Sequence, residues 1–165
     1  MVSYTRGASN SQRREKGNCD AFKGGINAGK EQHREAVIRT AQALGRLGAK
    51  ITIMKQLPGE TLPDIIAKDE ADRTVFVEIE ISTADKKRER LKKIKKAEES
   101  GAGILFVFVE RKAAEKAIDT GIGSVAYLSE GRLFVPSGSG WERAMDIASL
   151  FRPPNSSQRT STSDR

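Results

Sequence analysis

The stretch Thr74–Ile81, TVFVEIEI, constrains the fold more than any other part of the chain. It is rich in β-branched and aromatic residues, and its period of two reads as a strand. Phe76, Glu78 and Glu80 fall on one face; Val75, Val77, Ile79 and Ile81 fall on the other. The second face is wholly apolar and must be covered. The first sets two carboxylates among apolar neighbours, where a charge is costly unless it is paired or bound to a metal. A second strand, Asp64–Lys68 (DIIAK), precedes it across the polar turn DEADR. A turn centred on Ala71 places Asp64 opposite Glu78. Directly opposed residues have Cβ atoms roughly 4.5–5.5 Å apart, and like charges there repel. A divalent cation would compensate, and carboxylate oxygens suit magnesium or manganese.

Around this hairpin the pattern alternates. Residues 28–47 read as a helix with an apolar stripe of Val37, Ala41 and Leu44, Asn27 as its cap and Gly48 as its stop. Residues 50–56 (KITIMKQ) read as a strand and 84–100 as a charged helix ending at Gly101. Residues 104–110 (ILFVFVE) are apolar on both faces, as an inner strand between two layers would be. A short helix (113–119), a hairpin-like pair (SVAYLSEGRLFV) and a small helix after Trp141 complete the pattern. The expected fold is an α/β domain with a mixed central β-sheet flanked by helices, its core in the order α-β-β-β-α-β. The domain should span 27–152. Residues 1–26, basic through Arg6, Arg13, Arg14, Lys16 and Lys23, read as a disordered arm, and 153–165 as a disordered tail.

With 165 residues the chain suits one domain. Cys19 is its only cysteine, which excludes an intrachain disulfide and a Cys-based zinc site. Without a long apolar run, no membrane contact is expected, and a cytoplasmic location is the simplest expectation. The formal net charge of +7 favours a polyanionic partner, because clustered Lys and Arg release counterions from phosphates.

Pro63-Asp64 followed, after thirteen residues, by Glu78-Ile79-Glu80 resembles the signature of the PD-(D/E)XK nuclease superfamily. The likeness covers residues 28–110 and extends to the element order. It implies a restriction-endonuclease-like core and a magnesium-dependent endonuclease acting on DNA, double-stranded or branched, as restriction enzymes and archaeal Holliday-junction resolvases do. Asp64, Glu78 and Glu80 would be catalytic. Asp64, Glu78 and the Ile79 carbonyl would hold the metal, with Glu80 orienting water or binding a second ion. The family's usual lysine is replaced by Glu80, as in Glu-x-Glu variants, and Lys86, Lys87 or Lys92 could substitute for it. The resemblance also implies an accessory acid from the first helix, Glu31 or Glu35, and a homodimer.

The second helix carries eight basic residues in the eleven from Lys86 to Lys96, with Leu91, Ile94 and Ala97 as its apolar stripe. Lys86, Lys87, Arg88, Arg90, Lys92, Lys93 and Lys96 are therefore expected to contact phosphates, giving affinity without sequence specificity. His33 falls on the apolar side of the first helix and reads as a packed side chain. Trp141 and the few other aromatics are too sparse for a base-stacking platform, which argues against a single-strand binding module. Neither Gly24-Gly25 nor Ser137–Gly140 has the spacing of a phosphate-cradling loop. The competing readings are a nuclease fold kept for docking nucleic acid without turnover, and a basic protein with no metal site.

Overall fold

The computed structural model describes residues 26–55, 62–81, 86–121 and 123–151. The proposed basic arm, Cys19, Gly24-Gly25 and the C-terminal tail lie outside these residues, except that Ile26 begins the first helix. The elements run α1 (Ile26–Arg46), β1 (Lys50–Ile53), β2 (Ile65–Lys68), β3 (Thr74–Glu80), α2 (Lys87–Glu99), β4 (Gly103–Phe108), α3 (Arg111–Asp119), β5 (Ser124–Ser129), β6 (Arg132–Ser137), β7 (Gly140–Arg143) and a 3₁₀ turn at Ala148–Phe151. The protein is α/β, and its described residues form seven strands in one mixed sheet, ordered as they occur in the chain. Strands β1 to β3 form an antiparallel meander, β3, β4 and β5 are parallel, and β5 to β7 form a second meander.

Both parallel crossovers step the same way across the sheet. Crossovers of one hand then place their helices on one face, and α2 and α3 do share a face, packed through Ile94, Ala113, Ala114 and Ala117 with Phe106 and Phe108. The other face carries α1, whose Val37, Ala41 and Leu44 are buried against Ile65, Val75, Val77, Ile79, Leu105 and Val107. Strand β4 is thus covered on both sides, and its Leu105–Phe108 run is fully buried. That explains its unbroken apolar sequence.

The helix ends follow from glycine. Gly48 adopts φ +90°, Ala49 N–H donates to the Leu44 carbonyl and Gly48 N–H to that of Gly45. This is a Schellman stop, which needs the left-handed residue that glycine supplies without a Cβ clash. Gly101 ends α2 with the same two bonds, Ala102 N–H to Ala97 and Gly101 N–H to Glu98.

Three expectations are corrected. Asn27 lies within α1, not before it. The segment at Trp141 is strand β7, because the two-residue loop Gly138-Ser139 turns the chain back along β6, and the helical turn comes only at Ala148. Leu91 is not part of the inward face of α2: it is 49% exposed, and Arg90 is buried in its stead beside Ile94 and Ala97.

Candidate active site

The turn joining β2 to β3 sets the geometry. Asp72 N–H donates to the Asp69 carbonyl and Asp69 N–H to that of Arg73. Asp72 takes φ 59°, the left-handed position that closes a three-residue hairpin loop. The ladder then pairs Lys68 with Thr74 and Ile65 with Val77. Continued by one residue, that register sets Asp64 opposite Glu78, as the Ala71-centred turn implies. A one-residue slip would send the two carboxylates to opposite faces.

Asp64, Glu78 and Glu80 are all buried, with relative exposures of 6%, 6% and 3%. Each has a cationic or hydrogen-bonding neighbour. The Asp64 carboxylate accepts a 2.8 Å hydrogen bond from the Ile79 N–H, and His33 Nε2 lies 3.4 Å from the same oxygen. Lys93 Nζ donates to Glu78 Oε2 at 2.7 Å. Glu80 faces Arg90 Nε at 3.6 Å and Lys86 Nζ at 3.9 Å. The Arg90 guanidinium lies 5.2 Å from the centre of the Phe108 ring, a cation–π contact that helps hold a buried charge.

These neighbours shift the protonation equilibria. Burial alone would raise the Asp64 carboxyl, but the bonds from His33 and Ile79 outweigh it and hold the group below its ordinary value. The His33 imidazole is raised, chiefly by its bond to Asp64. Burial pushes Glu78 up, and the nearby charges of Asp64 and Glu80 add to this against the pull of Lys93. Burial would lower Lys93, but its attraction to Glu78 prevails and keeps it a firm cation.

The residues singled out from sequence thus divide into those that gather and those that do not. Asp64, just before β2, comes close to Glu78 on the α2-covered face of β3, and Ile79 enters through its N–H. Glu80 lies further along that face, beside Arg90 and Lys86. Glu31 and Glu35 do not join them: both are exposed, and Glu35 pairs with Arg39. The first helix contributes His33 instead, one turn before Val37. Its place on the α1 stripe was the signal, and reading that stripe as packing alone missed the contact. Lys93, which is not among the substitute lysines expected from sequence, bonds Glu78, while Lys86, which is, faces Glu80. Lys87, Arg88 and Lys92 are exposed, and Lys86, Lys93 and Lys96 half-buried. Arg90 is buried, which removes it from the phosphate-facing set.

Among the described residues, no group of three metal-ligating side chains is assembled. The donor chemistry of Asp64 and Glu78 nonetheless suits a hard cation, and magnesium is commonly held by one or two carboxylates with water and substrate phosphate completing its shell. Alongside these acids runs a cleft of about 390 Å³ lined by Pro63, Phe76, Glu78, Glu89, Lys92, Lys93 and Lys96. Among the described residues, no helix is long and apolar enough to cross a membrane. Comparisons of the chain with protein-family models, with curated proteins and with solved structures return no match.

Proposed function

We propose that this chain is a magnesium- or manganese-dependent endonuclease with a restriction-endonuclease-like core, acting on DNA and placed in the cytoplasm. One observation carries the reading: Asp64, buried just before β2, and Glu78, buried on β3, lie close enough for their charges to act on each other, and Glu78 opens on a cleft whose helical wall carries Lys92, Lys93 and Lys96. Buried like charges are retained at a cost to folding, and sites that bind cations are where such arrangements recur.

Bound between Asp64 and Glu78, a divalent cation would supply a water of lowered pKa and polarise the phosphoryl oxygen. The chain's own residues supply the rest. The Ile79 N–H and His33 fix the Asp64 carboxylate and keep it ionised. Lys93, reaching the site from α2, stands in for the lysine absent at position 80, and its ammonium is placed to stabilise charge that develops on the phosphate. Arg90 and Lys86 hold Glu80. The exposed lysines of α2 position the phosphate backbone.

The occupied state of the carboxylates favours a second reading, a nucleic-acid-docking subunit without turnover, in which Lys93 permanently neutralises Glu78. A cleavage assay on linear, nicked and four-way-junction DNA, with magnesium, manganese or chelator, separates the two. Cleavage that requires metal and falls roughly 100-fold or more in Lys93→Ala supports the enzyme. Binding without metal-dependent cleavage of any of the three substrates supports the docking subunit.

A further inference from the structure

The wall and floor of the cleft differ in chemistry. Glu89, Lys92, Lys93 and Lys96 recur at the spacing of one helix face, so α2 turns three ammonium groups and one carboxylate toward the cleft. The floor is Phe76, on the same face of β3 as Glu78 and two residues before it. Helix α2 packs over β4, which leaves Phe76 half-buried at its flank. The other described aromatics are spent elsewhere: Phe106 and Phe108 are buried, Tyr127 stacks on Phe134 and meets Trp141 edge-on, and Phe151 packs against the core. An aromatic face beside lysines is the pairing that takes a nucleotide, its base on the ring and its phosphate on the cations. At about 390 Å³ the cleft lies at the low end of small-molecule sites, room for a single nucleoside.

We infer that the cleft receives one unpaired nucleotide, its base stacked on Phe76 and its phosphate held by Lys92 and Lys96, next to the phosphodiester presented to Asp64 and Glu78. This inference rests on the nuclease reading and narrows its substrate to nucleic acid with an unpaired position at the cut. A fully paired base must be unstacked and extruded before it can enter, a cost that an unpaired one does not meet. One aromatic serves one base, in keeping with the scarcity of aromatics along the chain.

The test is fluorescence anisotropy with the full chain in chelator, using three short DNA duplexes. One carries a single unpaired thymidine, one is abasic at that position, and one is fully paired. The unpaired thymidine should bind roughly ten-fold more tightly than the abasic and paired duplexes, the scale of one base–aromatic stack. Phe76→Leu should erase that preference, and Lys92→Glu should weaken all three alike. Equal affinities for the three duplexes in the wild-type chain, or a preference that survives Phe76→Leu, would overturn the inference. Should Phe76→Leu not fold, the wild-type comparison of thymidine with the abasic site decides alone. Magnesium is then added to the same complexes. Preference without cleavage leaves the cleft assignment standing and removes the nuclease reading; cleavage without preference does the reverse.

Discussion

The Lys93 ammonium sits 2.7 Å from Glu78 Oε2, a bond across fifteen positions that ties α2 to the strand carrying the acids. Glu78 is thereby neutralised within a cluster that also holds Asp64 and Glu80. The pair makes the three carboxylates compatible with a folded core, and it puts a cation where phosphate chemistry would use one.

Removing one member of a buried ion pair leaves the other unpaired in a poor solvent for charge. Lys93→Ala should therefore destabilise the chain by about 1–3 kcal/mol in chelator. Glu78→Gln relieves the same charge, so the double variant should recover much of the loss. Urea unfolding of the four-member cycle measures the coupling. Additive effects would mean that the two side chains do not interact.

The His33–Asp64 contact makes stability depend on pH. Folded His33 holds its proton more tightly than the unfolded chain, where the ordinary value is 6.5. Its contribution is complete below that value and is lost as pH rises through the raised folded one. Asp64 runs the other way: its contribution is complete above 3.8 and lost as pH falls through the lowered folded value. The two overlap between 3.8 and 6.5. Raised Glu78 adds a loss of its own, which begins as pH climbs past 4.5 and is complete once pH passes the raised folded value. Urea midpoints from about pH 5 to about pH 8 should fall in the wild-type chain and fall less steeply in His33→Gln. Parallel profiles would place His33 outside the cluster's electrostatics.

Thr40 is wholly buried on α1, and among the described residues its hydroxyl has no hydrogen-bond partner. An unsatisfied buried hydroxyl costs roughly 1–3 kcal/mol, and valine fills the same shape without it. Thr40→Val should raise the unfolding free energy by about 1 kcal/mol, measured by urea denaturation. A loss of stability would show that the hydroxyl is bonded in solution.

The β5–β6 hairpin turns on Glu130 and Gly131, both left-handed at φ 49° and 69°. A glutamate is strained there, whereas asparagine before glycine is the favoured two-residue turn. Glu130→Asn should stabilise by roughly 0.5–1 kcal/mol. An unchanged or lower thermal midpoint would contradict the turn geometry.

Much of this arrangement was legible in the sequence, and the reasons differ by element. The β2–β3 register was readable because a polar turn of fixed length sits between two strongly patterned strands. The inner strand β4 was readable because continuous apolarity has few other homes. The inward face of α2 was not, because Leu91 and Arg90 are adjacent and hydrophobicity alone selects the leucine. What decides is a buried ion pair with Glu80 and a ring at Phe108, both distant in the chain. The same blindness to tertiary partners left Lys93 out of the set Lys86, Lys87 and Lys92, and left the contact of His33 with Asp64 unseen. Strand β7 was missed because four residues around one tryptophan carry no period to read.

The most direct test of the account is calorimetric titration of the full chain with manganese, in the wild type and in Asp64→Ala and Glu78→Ala. A site built from these two carboxylates predicts a saturable binding isotherm in the wild-type chain that is lost in both variants while their circular dichroism stays native. Manganese binding that persists undiminished in both, or no binding in the wild-type chain, would contradict it.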